Sequence, residues 1–143
     1  MNLRIMTIED YEQVYALWTA TPGMGMRSLD DSREGIARFL QRNPSTCFVA
    51  VEETAMAGVI LCGHDGRRGY IYHTAVLPEY RGRGIARALV DAAIGALRRE
   101  GIHKVALVVF QNNELGNGFW AHIGFDRRDD LVYRNLSLHA GNL

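Results

Sequence analysis

Three apolar runs set one after another between Thr46 and Leu77 restrict the fold more than any other feature of this chain. They read "TCFVAVE", "MAGVILCG" and "YIYHTAVL". Each has the length and the β-branched and aromatic content of a strand, and each is too short for an amphipathic helix. Glu53 and Thr54 form a short turn between the first two. "HDGRRG" joins the last two, and Asp65-Gly66 within it is a strong hairpin signal. Residues 46–77 are therefore expected to form an antiparallel meander. The next stretch, "GIARALVDAAIGALRRE", places Ile85, Leu89, Ala93 and Leu97 on one helical stripe and stops at Gly101. "KVALVVF" then reads as a continuous apolar run, the pattern of a strand covered on both faces. A helix lying between residues 70–77 and 104–110 is a crossover, which leaves those two strands parallel or splayed.

The flanks complete the pattern. "NLRIM" reads as a short opening strand. Thr7 caps a helix in "TIEDYEQVYALW", with Asp10 placed as in a capping box and Ile8, Tyr11, Val14, Tyr15 and Trp18 on one face. "TPGMGMRSLDD" is the longest irregular segment. "SREGIARFLQRN" follows, with Ile36, Phe39 and Leu40 at helical spacing, and stops at Asn43-Pro44. Beyond residue 110 come a weak helix, "NELGNGFWAHIG", and a closing hairpin, "FDRRDDLVYRNLSL", turned at Asp129-Asp130. The expected fold is α/β with a mixed, mostly antiparallel sheet in the order β-α-α-β-β-β-α-β-α-β-β, splayed between its two central strands. With 143 residues and neither repeat nor linker, residues 1–143 are expected to form one domain.

Composition removes several function classes. Sixteen basic residues balance sixteen acidic ones, so there is no electrostatic footprint for nucleic acid. Cys47 and Cys62 sit inside apolar runs without CxxC spacing and read as small buried hydrophobes of a reducing compartment. The start lacks the apolar core of a signal peptide, and no run approaches the ~20 apolar residues of a membrane span. The cytoplasm is the default, with no membrane partner. His64, His103, His122 and His139 are scattered without ligand spacing, so no metal is expected.

The charge that matters is local. In "RGRGIA", residues 81–86, arginine alternates with glycine at the point where a helix begins. Helix N-termini present unpaired N–H groups and the positive end of the macrodipole, and so attract phosphates. Gly82 and Gly84 let the backbone approach a ligand, while Arg81 and Arg83 add charge. The dinucleotide pattern GxGxxG fails, because Arg87 takes the third glycine position, and no P-loop is present.

What fits is [RQ]xxGx[GA], met by Arg81, Gly84 and Ala86 after a strand ending "AVLPEY". This closely resembles the acetyl-CoA-binding motif of the GNAT superfamily of N-acetyltransferases. Small bacterial members of the YpeA type look most similar, through Leu17-Trp18, "HDGRRG" and "NELGNGFWAHIGF". The resemblance implies acetyl-CoA as co-substrate and an amine-bearing acceptor. Ala75 and Val76 would offer main-chain groups to the pantetheine arm. Arg81, Gly82, Arg83, Gly84, Ile85 and Ala86 would hold the pyrophosphate through backbone N–H groups, and Asn113 would contact the arm near the splay.

The sequence also departs from that family. Members usually carry a tyrosine, the acid for the departing thiolate, where this chain has Trp120, and an indole does not titrate near neutrality. The carboxylate base that many carry on the strands matching 70–77 or 104–110 is missing as well. Direct attack by the amine, with the Val76 N–H at the oxyanion and Trp120 lining the thiol end, is one reading. Tyr72, Tyr133 or His73 would then assist proton movement, and strand alternation sends Tyr72 and His73 to opposite faces, with Tyr72 toward the cleft. Trp120 reads equally as packing, and His73 as a satisfied core histidine. Asp65, Arg67 and Arg68 form either an acceptor rim or a solvated turn. Met24, Met26 and Arg27 lie where the family shapes its acceptor pocket. A non-catalytic acyl-CoA-binding or sensing domain is the alternative, and either a monomer or a homodimer is compatible with the closing hairpin.

Overall fold

The computed structural model describes all 143 residues and contains one five-stranded sheet in the order β1-β2-β3-β4-β5. Strands β1 (Asn2–Ile5), β2 (Phe48–Glu52), β3 (Ala55–His64) and β4 (Gly69–Val76) pair antiparallel in sequence. β5 (Val105–Ala106) pairs parallel to β4. The meander expected at 46–77 is present. Glu53 takes a left-handed φ of 56° in the turn between β2 and β3. At the second turn Asp65 Oδ1 accepts the N–H groups of Arg67 and Arg68 at 2.8 Å each, so Asp65-Gly66 acts as turn chemistry there.

Period-two alternation in β2 and β3 divides the core. Val49, Val59 and Leu61 point to the face covered by α1 (Tyr11–Thr19) and α2 (Arg33–Arg42), against Val14, Trp18 and Ile36. Ala50, Ile60 and Cys62 point to the opposite face, against α3 (Ile85–Arg99), where Ile85, Leu89, Ala93 and Leu97 are all buried as their spacing predicts. Each fully buried leucine or isoleucine there contributes about 1.5–3 kcal/mol. Phe119 and Trp120 of α4 (Glu114–His122) pack on the edge of the same cluster. No helix is long and apolar enough to cross a membrane. Cys47 and Cys62 are free and buried, and burial pushes both thiols up to about 12.

The C-terminal third departs from expectation. Only Val105 and Ala106 of "KVALVVF" join the sheet, and the anticipated cover on both faces is absent, with Val108 and Phe110 each 57% exposed. The two closing strands do not form. Residues 126–138 make no backbone–backbone hydrogen bond, and Leu131, Val132, Leu136 and Leu138 face solvent. Alternation makes a segment amphipathic, but a strand also needs an edge to pair with, and β5 offers only a two-residue one. The total accessible surface, 9373 Å², exceeds the roughly 7,400 Å² of a close-packed monomer of this mass. The α/β class and the splay stand; the splay, however, lies beside the last strand of the sheet.

Candidate active site

Strands β4 and β5 separate after the Tyr70–Ala106 pair, so β4 runs on to Val76 with one edge unpaired. Which groups line that edge follows from the ladder on its other side. The Leu77 N–H donates to the Ala57 carbonyl at 2.9 Å, making 77 and 57 a hydrogen-bonded pair. Alternation then pairs Ala75 with Val59 in the same way and turns the N–H and C=O of Val76 away from β3, into the splay. Thr74 is turned the same way. The main chain of Ala75, expected to face the cleft, is therefore committed to β3, and its buried side chain faces α1.

The chain leaves β4 through a single 3-10 turn, Pro78–Tyr80, and reaches Gly82 (φ 78°) and Gly84 (φ 76°). Both are left-handed conformations that favour glycine, and a Cβ at either would meet nothing within 4 Å. The glycines serve conformation here and leave open space in front of α3. The first intrahelical bond of α3 is Ala88 N–H to the Gly84 carbonyl at 3.0 Å, so the N–H groups of Ile85, Ala86 and Arg87 are free, and no acidic residue stands in the first turn. Arg81 is exposed. Arg83 points elsewhere: its guanidinium lies 3.3 Å from Glu52 and over the Tyr80 ring, in a cavity of about 420 Å³ also bordered by Glu53 and Glu79. Main-chain amides, not the Arg83 side chain, are what this turn offers an anion.

A β-bulge reshapes the other end of the site. Thr74 pairs with Ile60 and Ile71 with Cys62, so Tyr72 and His73 together oppose Leu61. The extra residue puts both side chains on the α1–α2 face, which corrects the expectation that they point apart. Tyr72 packs edge-on against Phe39 and at a tilt of 47° against Tyr70. Burial raises the Tyr72 hydroxyl above the ordinary tyrosine value, helped by Tyr133 and Asp30; burial likewise pushes Tyr70 up to about 12. Tyr72 thus keeps its proton at neutral pH. His73 Nε2 lies 2.8 Å from Asp31 Oδ1, and the Trp18 ring meets the imidazole edge-on at 5.0 Å.

The remaining expected residues divide. Asn113 caps α4, its Oδ1 accepting the Gly116 N–H at 2.9 Å. Trp120 meets the rings of Phe119 and Phe125 edge-on, with centroids 5.0 Å from each. Tyr133 is 65% exposed yet near enough to raise Tyr70 and Tyr72. The irregular segment after α1 crosses toward the far wall, placing Gly25 against Phe110 and Gly23 near Asn113. Met24 and Met26 pack on the α1–α2 core. Residues 141–143 clasp the same segment: Leu143 and Ser28 bond twice, at 2.7 and 2.9 Å, and Asn142 Oδ1 accepts the N–H groups of Leu29 and Asp30. Sequence reading missed both this clasp and the Asp31–His73 contact, since neither has a local signal.

A family model, the acetyltransferase (GNAT) family, matches residues 11–125. Among solved structures, PaiA N-acetyltransferase from Thermoplasma acidophilum in complex with coenzyme A is 22% identical, with a TM-score of 0.76 over 90% of this chain and 91% of that one. The NatC complex bound to Gag peptide and CoA contains a chain 26% identical, at a TM-score of 0.75 over 89% and 85%. AAC(6')-Iy in complex with a bisubstrate analogue is 18% identical, at 0.74 over 95% and 97%.

Proposed function

The chain belongs to the GNAT family of acetyltransferases, and from that premise we propose that it transfers the acetyl group of acetyl-CoA to a primary amine by direct attack on the thioester. The observation that carries this reading is the pairing of two features along one edge. Val76 directs an unpaired N–H and C=O into the splay, and a few residues on, Gly84 opens a helix whose first N–H groups are free. An extended thioester arm pairs with such an edge as an added strand does. A diphosphate meets the amides of residues 82–87 and the helix dipole. The Val76 N–H would receive the negative charge that develops on the acyl oxygen. On this reading Trp120 would line the thiol end of the site, and Tyr72 or Tyr133 would assist proton movement.

The acceptor is a small molecule or a protein N-terminus or lysine. Deprotonating a lysine at pH ~7.5 costs about 4 kcal/mol, against less than about 1 kcal/mol for an α-amine, so an α-amine asks less of the site. Thiol release from acetyl-CoA, followed over a panel of polyamines, aminoglycosides, amino acids and N-terminal peptides, tests the proposal. Turnover on at least one amine is expected. Tight CoA binding without turnover on any acceptor favours an acyl-CoA-binding domain instead.

A further inference from the structure

We propose that His73, oriented by Asp31, is the base that takes the proton from the attacking amine; this rests on the acetyltransferase reading above. Three observations lead there. His73 lies two residues from Ala75 in the regular alternation that follows the bulge, so it shares the Ala75 side of the sheet, three residues before Val76. At ~3.3 Å per residue that is a separation of roughly 10 Å along the strand, which the imidazole and a bound amine, with or without one water, can span. Second, the ring is held. A carboxylate only accepts, so Nε2 carries the hydrogen in the 2.8 Å contact with Asp31 Oδ1, and the neutral ring keeps its lone pair on Nδ1.

Asp31 is fixed in its turn. Its Oδ2 accepts the Arg27 N–H at 2.7 Å, and its carbonyl accepts the Tyr11 hydroxyl at 2.7 Å. A buried carboxylate positioned by other groups and bonded to one imidazole nitrogen is the arrangement that orients a histidine base and stabilises its cation. The third observation is a polar mismatch beside it. Trp18 Nε1 is buried with no hydrogen-bond partner, in a ring that touches His73, and His73 Nδ1 bonds to nothing within the chain. The second imidazole nitrogen is therefore not taken up by any side chain of the protein.

In the step itself the amine nitrogen bonds to the acyl carbon, the C–S bond breaks, and its electron pair leaves on sulfur as the thiolate. The proton on the amine nitrogen passes to His73 Nδ1, and Asp31 stabilises the imidazolium.

His73→Gln tests this, because its side-chain amide still donates to Asp31 but cannot take a proton. With an acceptor identified by thiol release, kcat is expected to fall by roughly 10²–10⁴-fold, with CoA affinity by calorimetry and the Tm unchanged. His73→Gly is expected to regain turnover with added imidazole, which a packing role would not produce. The wild-type protein gives an independent reading: long-range proton–nitrogen NMR should show the neutral His73 ring protonated on Nε2. A kcat for His73→Gln within threefold of wild type, or a proton on Nδ1, overturns the proposal. Absence of turnover by the wild type on every amine instead overturns the function proposed above, and the NMR tautomer can be read in either case.

Discussion

Replacing Gly84 by alanine and by aspartate is expected to rank the two variants in opposite orders for stability and for ligand affinity. Gly84 sits at φ 76° and ψ 14° with open space where a side chain would point. Alanine therefore meets no clash and suffers only the left-handed backbone, about 1–2 kcal/mol, offset by about 0.4–1 kcal/mol from a less disordered unfolded chain. A net loss near 1 kcal/mol lowers the Tm by about 3 °C in a domain of this size. Aspartate tolerates the left-handed region better, and a carboxylate at the head of α3 is stabilising by about 0.3–1 kcal/mol, so its Tm should lie at or above that of the alanine variant. For coenzyme A the order inverts. The carboxylate stands where a diphosphate must lie, and two like charges ~4 Å apart at an effective dielectric of ~20 repel by about 4 kcal/mol. Affinity should fall by roughly 10²–10³-fold in Gly84→Asp and far less in Gly84→Ala. Thermal denaturation followed by circular dichroism and titration calorimetry with coenzyme A read the two quantities. A folded Gly84→Asp protein that binds coenzyme A like the wild type would refute the anion role of this turn.

Two further outcomes follow from buried groups. Cys47 and Cys62, with thiols raised to about 12 by burial, should resist iodoacetamide in the native protein at pH 8 and react only as denaturant unfolds it; rapid native labelling would contradict their packing. Asp10 forms hydrogen bonds of 2.7 and 2.8 Å with Arg4, which holds its carboxyl below the ordinary range. Its folded value is depressed, so its contribution is present above the unfolded value near ~3.9 and is lost as pH falls through the folded value. Arg4→Met should remove most of that acid-side dependence in urea melts between about pH 5 and pH 2, and an unchanged pH slope would show the pair to be inert.

How far the molecule can be read from its residues depends on the range of each interaction. The meander at 46–77, the α3 stripe and the glycine turn at 82–84 all rest on contacts within a few residues, and all are found where the pattern puts them. The bulge at Tyr72-His73 escaped because alternation carries no mark of an extra residue; only the register against β3 shows it. That single insertion puts Tyr72 on the same side as His73. The Asp31–His73 bond spans 42 positions and has no local signature at either end. The closing strands failed for the opposite reason. Leu131, Tyr133 and Leu138 have the composition of strand residues, but their pairing depends on a neighbouring edge that β5 scarcely supplies.

The clasp between residues 141–143 and Ser28 has a practical consequence. Because Phe125 bonds back into the turn that ends α4 and Leu143 is fastened at the loop before α2, the stretch between them is tethered at both ends. A protease cut inside 126–140 should leave two pieces that migrate together until the clasp is loosened. A tag fused after Leu143 would emerge beside Ser28 in the loop before α2, whereas one at the amino terminus would lie by the outer strand of the sheet.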